Sequence, residues 1–494
     1  MQTHSNEIAH PEKPSAIATN KLIFYVTIIF VVILTYFPVI STNYGYVDDY
    51  SFIKYAIDGS NKILSQSFSG DRFLSGLLTN FLFHAFNSIN SIKYIRATSV
   101  IFISLFSVMI FYFLTSVGYD KKSSAAYSIL VACTPSFQIY GSWAVLVGAP
   151  LSAIFALLAA FYYIRLKGTF LFLTRAVLMF ISLLFYQPSA MIFFSLIPII
   201  LYSKLGRNEN KSEIFKSMIL YVLSGFSGIL AAYLALKFYH LLGFHVSHRS
   251  SITNNIISKT EWFFRGPLIS STNIFMVRPQ FLTSIIILIL FLLLLAVQKK
   301  TRNVLFILSL SCAIPLSYIP NLVVAGDWAS NRTLVGLEVV WCGFVLLFLD
   351  WLFKSINNLS SKIFVGLALF AIILNSQKNI LDEFVIPGSL DYAYALHEMR
   401  VLNPKDGETV CIIPSDWTAT LARYASMDDF GRTPFSATWS ATSIFYDSLH
   451  LLHPKRKVKF VISENKKCQY AIKTPESETY RTFIGKLYTL GKNR

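Results

Sequence analysis

Tyr44-Gly45-Tyr46-Val47-Asp48-Asp49-Tyr50 places two adjacent carboxylates among aromatic residues, just after the first apolar stretch of the chain. A carboxylate within hydrogen-bond reach of a hydroxyl can take its proton as a general base. Held at a membrane surface beside aromatics, it can do so for a sugar hydroxyl. Adjacent residues at a helix start point in different directions, so one of Asp48 and Asp49 can be the base while the other caps the helix or positions the substrate. The simpler reading makes both of them first-turn charges of a helix. With only 26 acidic residues in 494, an acidic pair invites the functional reading.

A second set of residues is cationic. Gly70-Asp71-Arg72 follows in the same polar stretch, and Arg278 and Arg332 stand at corresponding boundaries of later apolar runs. A guanidinium pairs with phosphate through two parallel hydrogen bonds and stays charged near lipid, so Arg72, Arg278 and Arg332 are candidates to hold a lipid phosphate. Headgroup contact by snorkelling is the alternative for any one of them. Glu338 lies about two turns inside an apolar run. A carboxylate there needs a cavity, a catalytic role or a buried base as partner.

His240, His245 and His248 do not have the spacing of a zinc helix, and Cys133, Cys312, Cys342, Cys411 and Cys468 form no C-x-x-C pair, so no metal or cofactor is expected. Trp262-Phe263-Phe264 reads as an interfacial aromatic belt. There is no G-x-x-x-x-G-K-S, G-x-G-x-x-G or G-x-S-x-G, so nucleotide hydrolysis, dinucleotide binding and a serine-hydrolase elbow lack support. Any donor must arrive already activated.

The elements that would position these groups are apolar helices. Hydrophobic residues make up 54% of the chain and charged residues 14%, with a mean hydropathy of +0.54. That excludes a soluble enzyme. The net charge of +17 sits in small clusters beside apolar runs, which orients helices in a bilayer and does not build a nucleic-acid surface.

Hydropathy predicts about eleven crossings, near 22–40, 95–117, 124–140, 144–164, 171–186, 188–204, 217–238, 281–298, 303–320, 333–353 and 361–376. The pair flanking Tyr186-Gln187-Pro188 can be two spans or a re-entrant hairpin. Basic links at Lys121-Lys122, Arg165 to Lys167, Lys204 to Lys216, Lys299 to Arg302 and Lys354 to Lys362 fall on one side, which the positive-inside rule makes cytoplasmic.

The expected fold is thus an all-α polytopic membrane protein with a small α/β C-terminal domain. Residues 1–21 are a cytoplasmic N-terminus lacking a cleavable signal, 22–376 a transmembrane module and 377–494 the outward C-terminal domain. In the outward loop 41–94, Asp48 to Asp58 should form a helix capped by an aspartate and stopped at Gly59. Tyr50, Ile53 and Ile57 should share its face, and residues 73–90 should lie as a second interface helix. In the tail, strands are expected at Thr409–Pro414 and Val458–Ser463 and a helix at Asp391–Leu402. A Cys411–Cys468 disulfide and two free thiols are both compatible with that compartment.

An aromatic-rich Asp-Asp after the first span, interface helices, a Gly-x-Arg, many spans and a polar outer tail resemble the GT-C superfamily of polyprenyl-phosphate-sugar glycosyltransferases. Within it the chain is similar to the type II Gtr serotype-converting O-antigen glucosyltransferases. The likeness is carried by Tyr46–Tyr50 and Gly70–Arg72, with echoes at Tyr186-Gln187 and Asp429-Phe430-Gly431-Arg432.

The resemblance implies an inverting transfer of glucose from undecaprenyl phosphate-glucose to an O-antigen hydroxyl of lipopolysaccharide, on the periplasmic face of a bacterial inner membrane. It implies Asp48 or Asp49 as base, and Arg72, with Arg278 and Arg332, on the donor phosphate. Asp429 and Arg432 would be on the acceptor. A lipid-glucose synthase and a small flippase would be functional partners. An O-antigen polymerase or ligase, or a transporter of lipid-linked glycan, is the competing expectation.

Overall fold

The structure is a computed structural model that describes residues 14–165, 169–206, 210–241, 251–277, 281–296, 300–355, 359–413, 429–431, 433–462 and 470–474. The chain rises through α1 (Pro14–Ser41) to a face built from three short helices, α2 (Asp48–Ile57), α3 (Lys62–Ser69) and α4 (Phe73–Ala85), and returns through α5 (Ile92–Val117). We call this the loop face and its opposite the far face. The next crossing is broken into α6 (Lys121–Ala132) and α7 (Pro135–Ser142). Pro135 lacks an N–H and its ring obstructs the preceding turn, so the helix stops at Cys133-Thr134 and restarts with proline in its first turn.

Then follow α8 (Gly148–Arg165), α9 (Thr169–Phe185) and a segmented crossing, α10 (Gln187–Ala190), α11 (Ile192–Ser195) and α12 (Ile197–Gly206). Gln187 donates from Nε2 to the Asp71 carbonyl at the loop face, at 2.7 Å, while the Ser203 hydroxyl donates to the Val117 carbonyl at the far end of α5, at 2.6 Å. Residues 187–206 therefore run the full depth. Of the two readings the sequence allows, this full-depth run of 187–206 favours two spans.

The chain continues with α13 (Lys211–Leu241), α14 (Ile256–Arg265), α15 (Pro267–Ser271), α16 (Phe281–Ala296), α17 (Lys300–Leu316), α18 (Ile319–Val323), α19 (Val335–Ser355) and α20 (Leu359–Ile380). Each of the eleven expected positions is occupied by helix. Among the described residues seven helices are long and apolar enough to cross a membrane, and Thr169–Phe185, Phe281–Ala296 and Val304–Leu316 are shorter apolar helices. On α16, Ile285, Ile286, Leu288, Ile289, Leu292 and Leu293 are all exposed, the surface that a helix presents to lipid and not to water. The protein is an all-α polytopic membrane protein with a small sheet.

From α20 the helix runs on through a wide π turn at Leu381–Val385 into α21 (Ile386–Leu402), so the tail is connected to the membrane without a loop. Beyond it lie β1 (Thr409–Ile413), α22 (Thr438–Leu452), β2 (Lys459–Ile462) and β3 (Tyr470–Lys473). The sheet is parallel throughout with order β2-β1-β3, Val410 pairing with both Phe460 and Tyr470. The crossover between β1 and β2 includes α22, as parallel neighbours require. Two strands fall where the sequence expects them; β3 and the earlier start of α21 are additions. Cys411 in β1 is disulfide-bonded, and Cys468 lies outside the described residues.

One apolar core joins the tail to the loop face. Tyr50, Phe52, Ile53 and Phe83 share a cluster with Tyr394, Val410, Ala441, Ile444 and Phe445.

Candidate functional site

The segment between α1 and α2 is held from beneath by Arg96, on the first turns of α5. Its fully buried guanidinium donates to the carbonyls of Val39 (2.9 Å), Thr42 (2.7 Å) and Tyr44 (2.5 Å) and lies 3.9 Å from the centre of the Tyr44 ring. These bonds satisfy both the cation and the helix-end carbonyls of α1, which is what makes burial of the charge tolerable. The Tyr44 hydroxyl donates to Ser142, and the Gly45 N–H donates to the Tyr50 hydroxyl. Val47 then takes φ +35°, a conformation costly for a β-branched residue. Ser440 fixes it by donating to its carbonyl at 2.7 Å.

The expected aspartate cap is not present. Val47 is the residue before the helix, with no side-chain cap, and Asp48 and Asp49 are the first two helical residues. Asp49 points backward and inward: Oδ2 accepts the Tyr46 N–H at 2.9 Å and Oδ1 accepts the Val145 N–H at 3.1 Å. It is wholly buried, and burial pushes its carboxyl up to about 7 against the opposing pull of those N–H groups and of Arg96. Asp48 is half-buried and faces outward. Its Oδ1 accepts the indole N–H of Trp439 at 2.7 Å. On the rest of α2, Tyr50 and Ile53 are buried and Ile57 is partly so, with Gly59 at φ +63° ending the turn as expected.

Tyr46 connects this carboxylate pair to the arginines. Its hydroxyl donates to the Asp429 carbonyl, and its ring meets Trp143 edge-on at 5.1 Å. The Asp429 carboxylate accepts the Arg332 backbone N–H at 3.3 Å and lies 3.8 Å from Arg332 Nε. The Arg332 guanidinium lies over Trp143 at 4.7 Å, and its carbonyl accepts the Tyr140 hydroxyl. The segment leading to Arg332 is pinned by Lys259, which donates to Gly326 and Asp327.

Arg72 lies over the Tyr186 ring at 4.9 Å, and Tyr186 is within electrostatic reach of both Arg72 and Arg332. The turn carrying Arg72 holds Asp71 at φ +63° and is tied by its carbonyl to Gln187.

The structure thus brings together Asp48, Asp49, Arg72, Arg332 and Asp429 on the loop face. Arg278 and Arg432 lie outside the described residues, as do His245 and His248. Glu338 belongs elsewhere: at 1% exposure it accepts the Ser136 N–H at 3.2 Å and so neutralises the N-terminus of α7. Its partner is a helix end and not a buried base. Phe263 is packed against Tyr318 instead of standing in a belt, while Phe264 is exposed. Among the described residues no group of three or more His, Cys, Asp or Glu is placed to hold a metal.

Sequence reasoning missed Arg96, Trp143 and Trp439. An arginine beside the first apolar residues of the second span was a legible signal for Arg96. Nothing local marks Trp439, because its partner is 391 residues away.

A helical membrane protein whose loop face gathers a half-exposed carboxylate and two arginines on aromatic supports has the parts of a group-transfer enzyme working at a bilayer surface. The family model described as Glucosyl transferase GtrII matches residues 37–349, and the chain belongs to that family. It is accordingly a transferase of glucosyl groups. No curated protein matches the chain. Asp48, Asp49, Arg72 and Arg332 fall within the matched residues; Asp429 and Trp439 fall beyond them.

Proposed function

We propose that the protein moves glucose from undecaprenyl phosphate-glucose to a hydroxyl of the O-antigen repeat of lipopolysaccharide, inverting the anomeric centre, with the loop face in the periplasm of a bacterial inner membrane. Asp48 is the base. The acceptor oxygen attacks C1 of glucose, its proton passes to the Asp48 carboxylate, and the C1–O bond to phosphate breaks, releasing undecaprenyl phosphate. Arg72 and Arg332 hold that phosphate as its charge grows. Asp49 has spent both oxygens on backbone N–H groups and shapes the Tyr46–Asp49 turn. Asp429, buried against Arg332, orients the guanidinium and does not meet the acceptor directly. A lipid-glucose synthase and a flippase would supply the donor.

The observation that carries this reading is the contrast between the two carboxylates, one enclosed and satisfied by backbone N–H groups and one partly exposed on the face that also carries Arg72 and Arg332. The test is the mass of the O-antigen repeat in cells holding the synthase and flippase, with and without this protein. The expected result is a gain of a hexose that Asp48→Asn abolishes. A repeat mass unchanged by the protein in that host overturns the donor and acceptor; a gain that survives Asp48→Asn overturns Asp48 as base.

A further inference from the structure

The surface of α14 is divided three ways. Successive residues of a helix turn by about 100°, so Lys259, Trp262 and Phe263 form one side, Ile256, Ile257, Thr260 and Phe264 the next, and Ser258, Glu261 and Arg265 the third. The first side is packed on the protein: Lys259 and Phe263 are buried, and Phe263 shares a cluster with Tyr318, Leu334 and Leu337. The second is apolar yet open, with Ile257 83% exposed. The third is polar and exposed, and Arg265 pairs there with Glu261 at 2.7 Å. A helix between protein and water needs only two sides. A third, apolar one needs an apolar medium.

Two contacts bring that medium within reach. The Trp341 indole N–H donates to Ser271, the last residue of α15, at 2.8 Å. Trp341 lies six residues beyond the start of α19, a helix long and apolar enough to cross a membrane. At about 1.5 Å per residue, α15 therefore ends about 9 Å below the loop-face end of that span. Thr272 then lies 2.7 Å from Ser284, on the first turn of α16. The chain thus passes from α14 through exposed Ile269 straight into the helix whose isoleucines and leucines face lipid.

The buried side of α14 is strapped to the segment that carries Arg332. Lys259, lying 4.0 Å from the centre of the Trp262 ring, donates to the Gly326 carbonyl at 2.7 Å and to Asp327 at 2.9 Å. The residues just before the helix pair antiparallel with those just before Gly326, through Thr253 to Val323 and Ala325 to Ser251. A displacement of α14 is therefore carried into the approach to Arg332.

We propose that α14 is a lipid-seated helix: Ile256, Ile257 and Phe264 lie among the acyl chains of the leaflet at the loop face, and this seating fixes the depth at which Arg332 meets the donor phosphate. The second half of the inference rests on the reading of Arg332 as a phosphate ligand. The first half does not.

The test uses full-length protein in vesicles of phosphatidylethanolamine and phosphatidylglycerol. Nitroxide labels are placed by Ile257→Cys and, separately, Glu261→Cys, with Cys312→Ser removing an exposed thiol. The label at 257 should be reached by oxygen and not by an aqueous nickel complex, and the label at 261 should show the reverse. Access of nickel to the label at 257 overturns the seating. Shielding of that label from both reagents overturns it too, because protein would then cover the side.

Kinetics with undecaprenyl phosphate-glucose read the second half. Ile257→Asp should raise the donor KM about tenfold, the scale of one weakened charged hydrogen bond, while Ile257→Leu keeps the parental value. An unchanged donor KM in Ile257→Asp, where Arg332→Ala raises it, overturns the control of Arg332 by α14. An unchanged donor KM in Arg332→Ala defeats the phosphate reading of that arginine instead, and the labels then decide the seating by themselves.

Discussion

Between Asp48 and Asp49 the backbone turns a half-exposed carboxylate into a wholly enclosed one within a single residue, and the two should respond differently to the same substitution. Asp48→Asn should lower kcat by about 10²–10⁴ with the melting temperature unchanged, as expected for loss of a general base. Asp49→Asn should do the reverse. An amide has one acceptor oxygen for two backbone N–H groups, so stability should fall by about 1–3 kcal/mol, read as thermal melting in detergent.

The pH dependence has a definite sign. The folded carboxyl of Asp49 sits at about 7, above the roughly 3.9 of an unfolded aspartate, so the folded state keeps a proton that the unfolded state has lost. Its contribution is fullest below about 4 and declines as pH rises to about 7. Buried Asp447 on α22, also pushed up by burial, works in the same direction. Melting temperatures across that window should fall less steeply in Asp49→Asn than in the parent.

At the scale of elements, the contact between α2 and α22 decides whether the site exists. Phe445 is fully buried in the core that the two helices share, and its ring faces Phe435 at 5.5 Å. Phe445→Ala should cost about 3–5 kcal/mol and expose the α2 surface, seen as new protease-accessible sites in folded protein. Close approach also matters where α21 passes the site. A Cβ at Gly388 would stand 2.8 Å from the Gly45 carbonyl and 2.9 Å from the Tyr44 ring, and neither can retreat while Arg96 holds that loop. Gly388→Ala should therefore reduce both stability and transfer activity, whereas alanine at Gly366, which faces open space on α20, should be neutral in both assays.

The elements were largely legible because their apolar runs have the length a bilayer requires. The α6–α7 break was signalled by Pro135 but hidden inside one apolar run. The cap was misread because Asp and helix start coincide in sequence, while the strain at Val47 depends on Ser440, almost four hundred residues away.

The whole molecule is one assembly and not a membrane part with an appendage. Ending the chain after Ile380, which retains every residue matched by the family, should yield a membrane-inserted protein with no transfer activity, since Asp429 and Trp439 would be missing. Activity of such a fragment at the parental rate would show the tail to be dispensable. The sequence could reveal a carboxylate pair and an arginine motif because each is local. It could not reveal which distant side chains complete them, since that depends on packing between the ends of the chain.

That packing also orders events in time. The contact between Tyr46 and Asp429 spans 383 residues. At ribosomal speeds of about 5–20 residues per second, roughly 20–80 seconds separate the synthesis of its two sides. Until the tail has docked, a nascent chain with Asp48, Asp49 and both arginines already made lacks the contacts that Asp429 and Trp439 supply. Newly made protein should therefore stay inactive until its tail has docked, and a ribosome that stalls before Asp429 should leave a product without transfer activity.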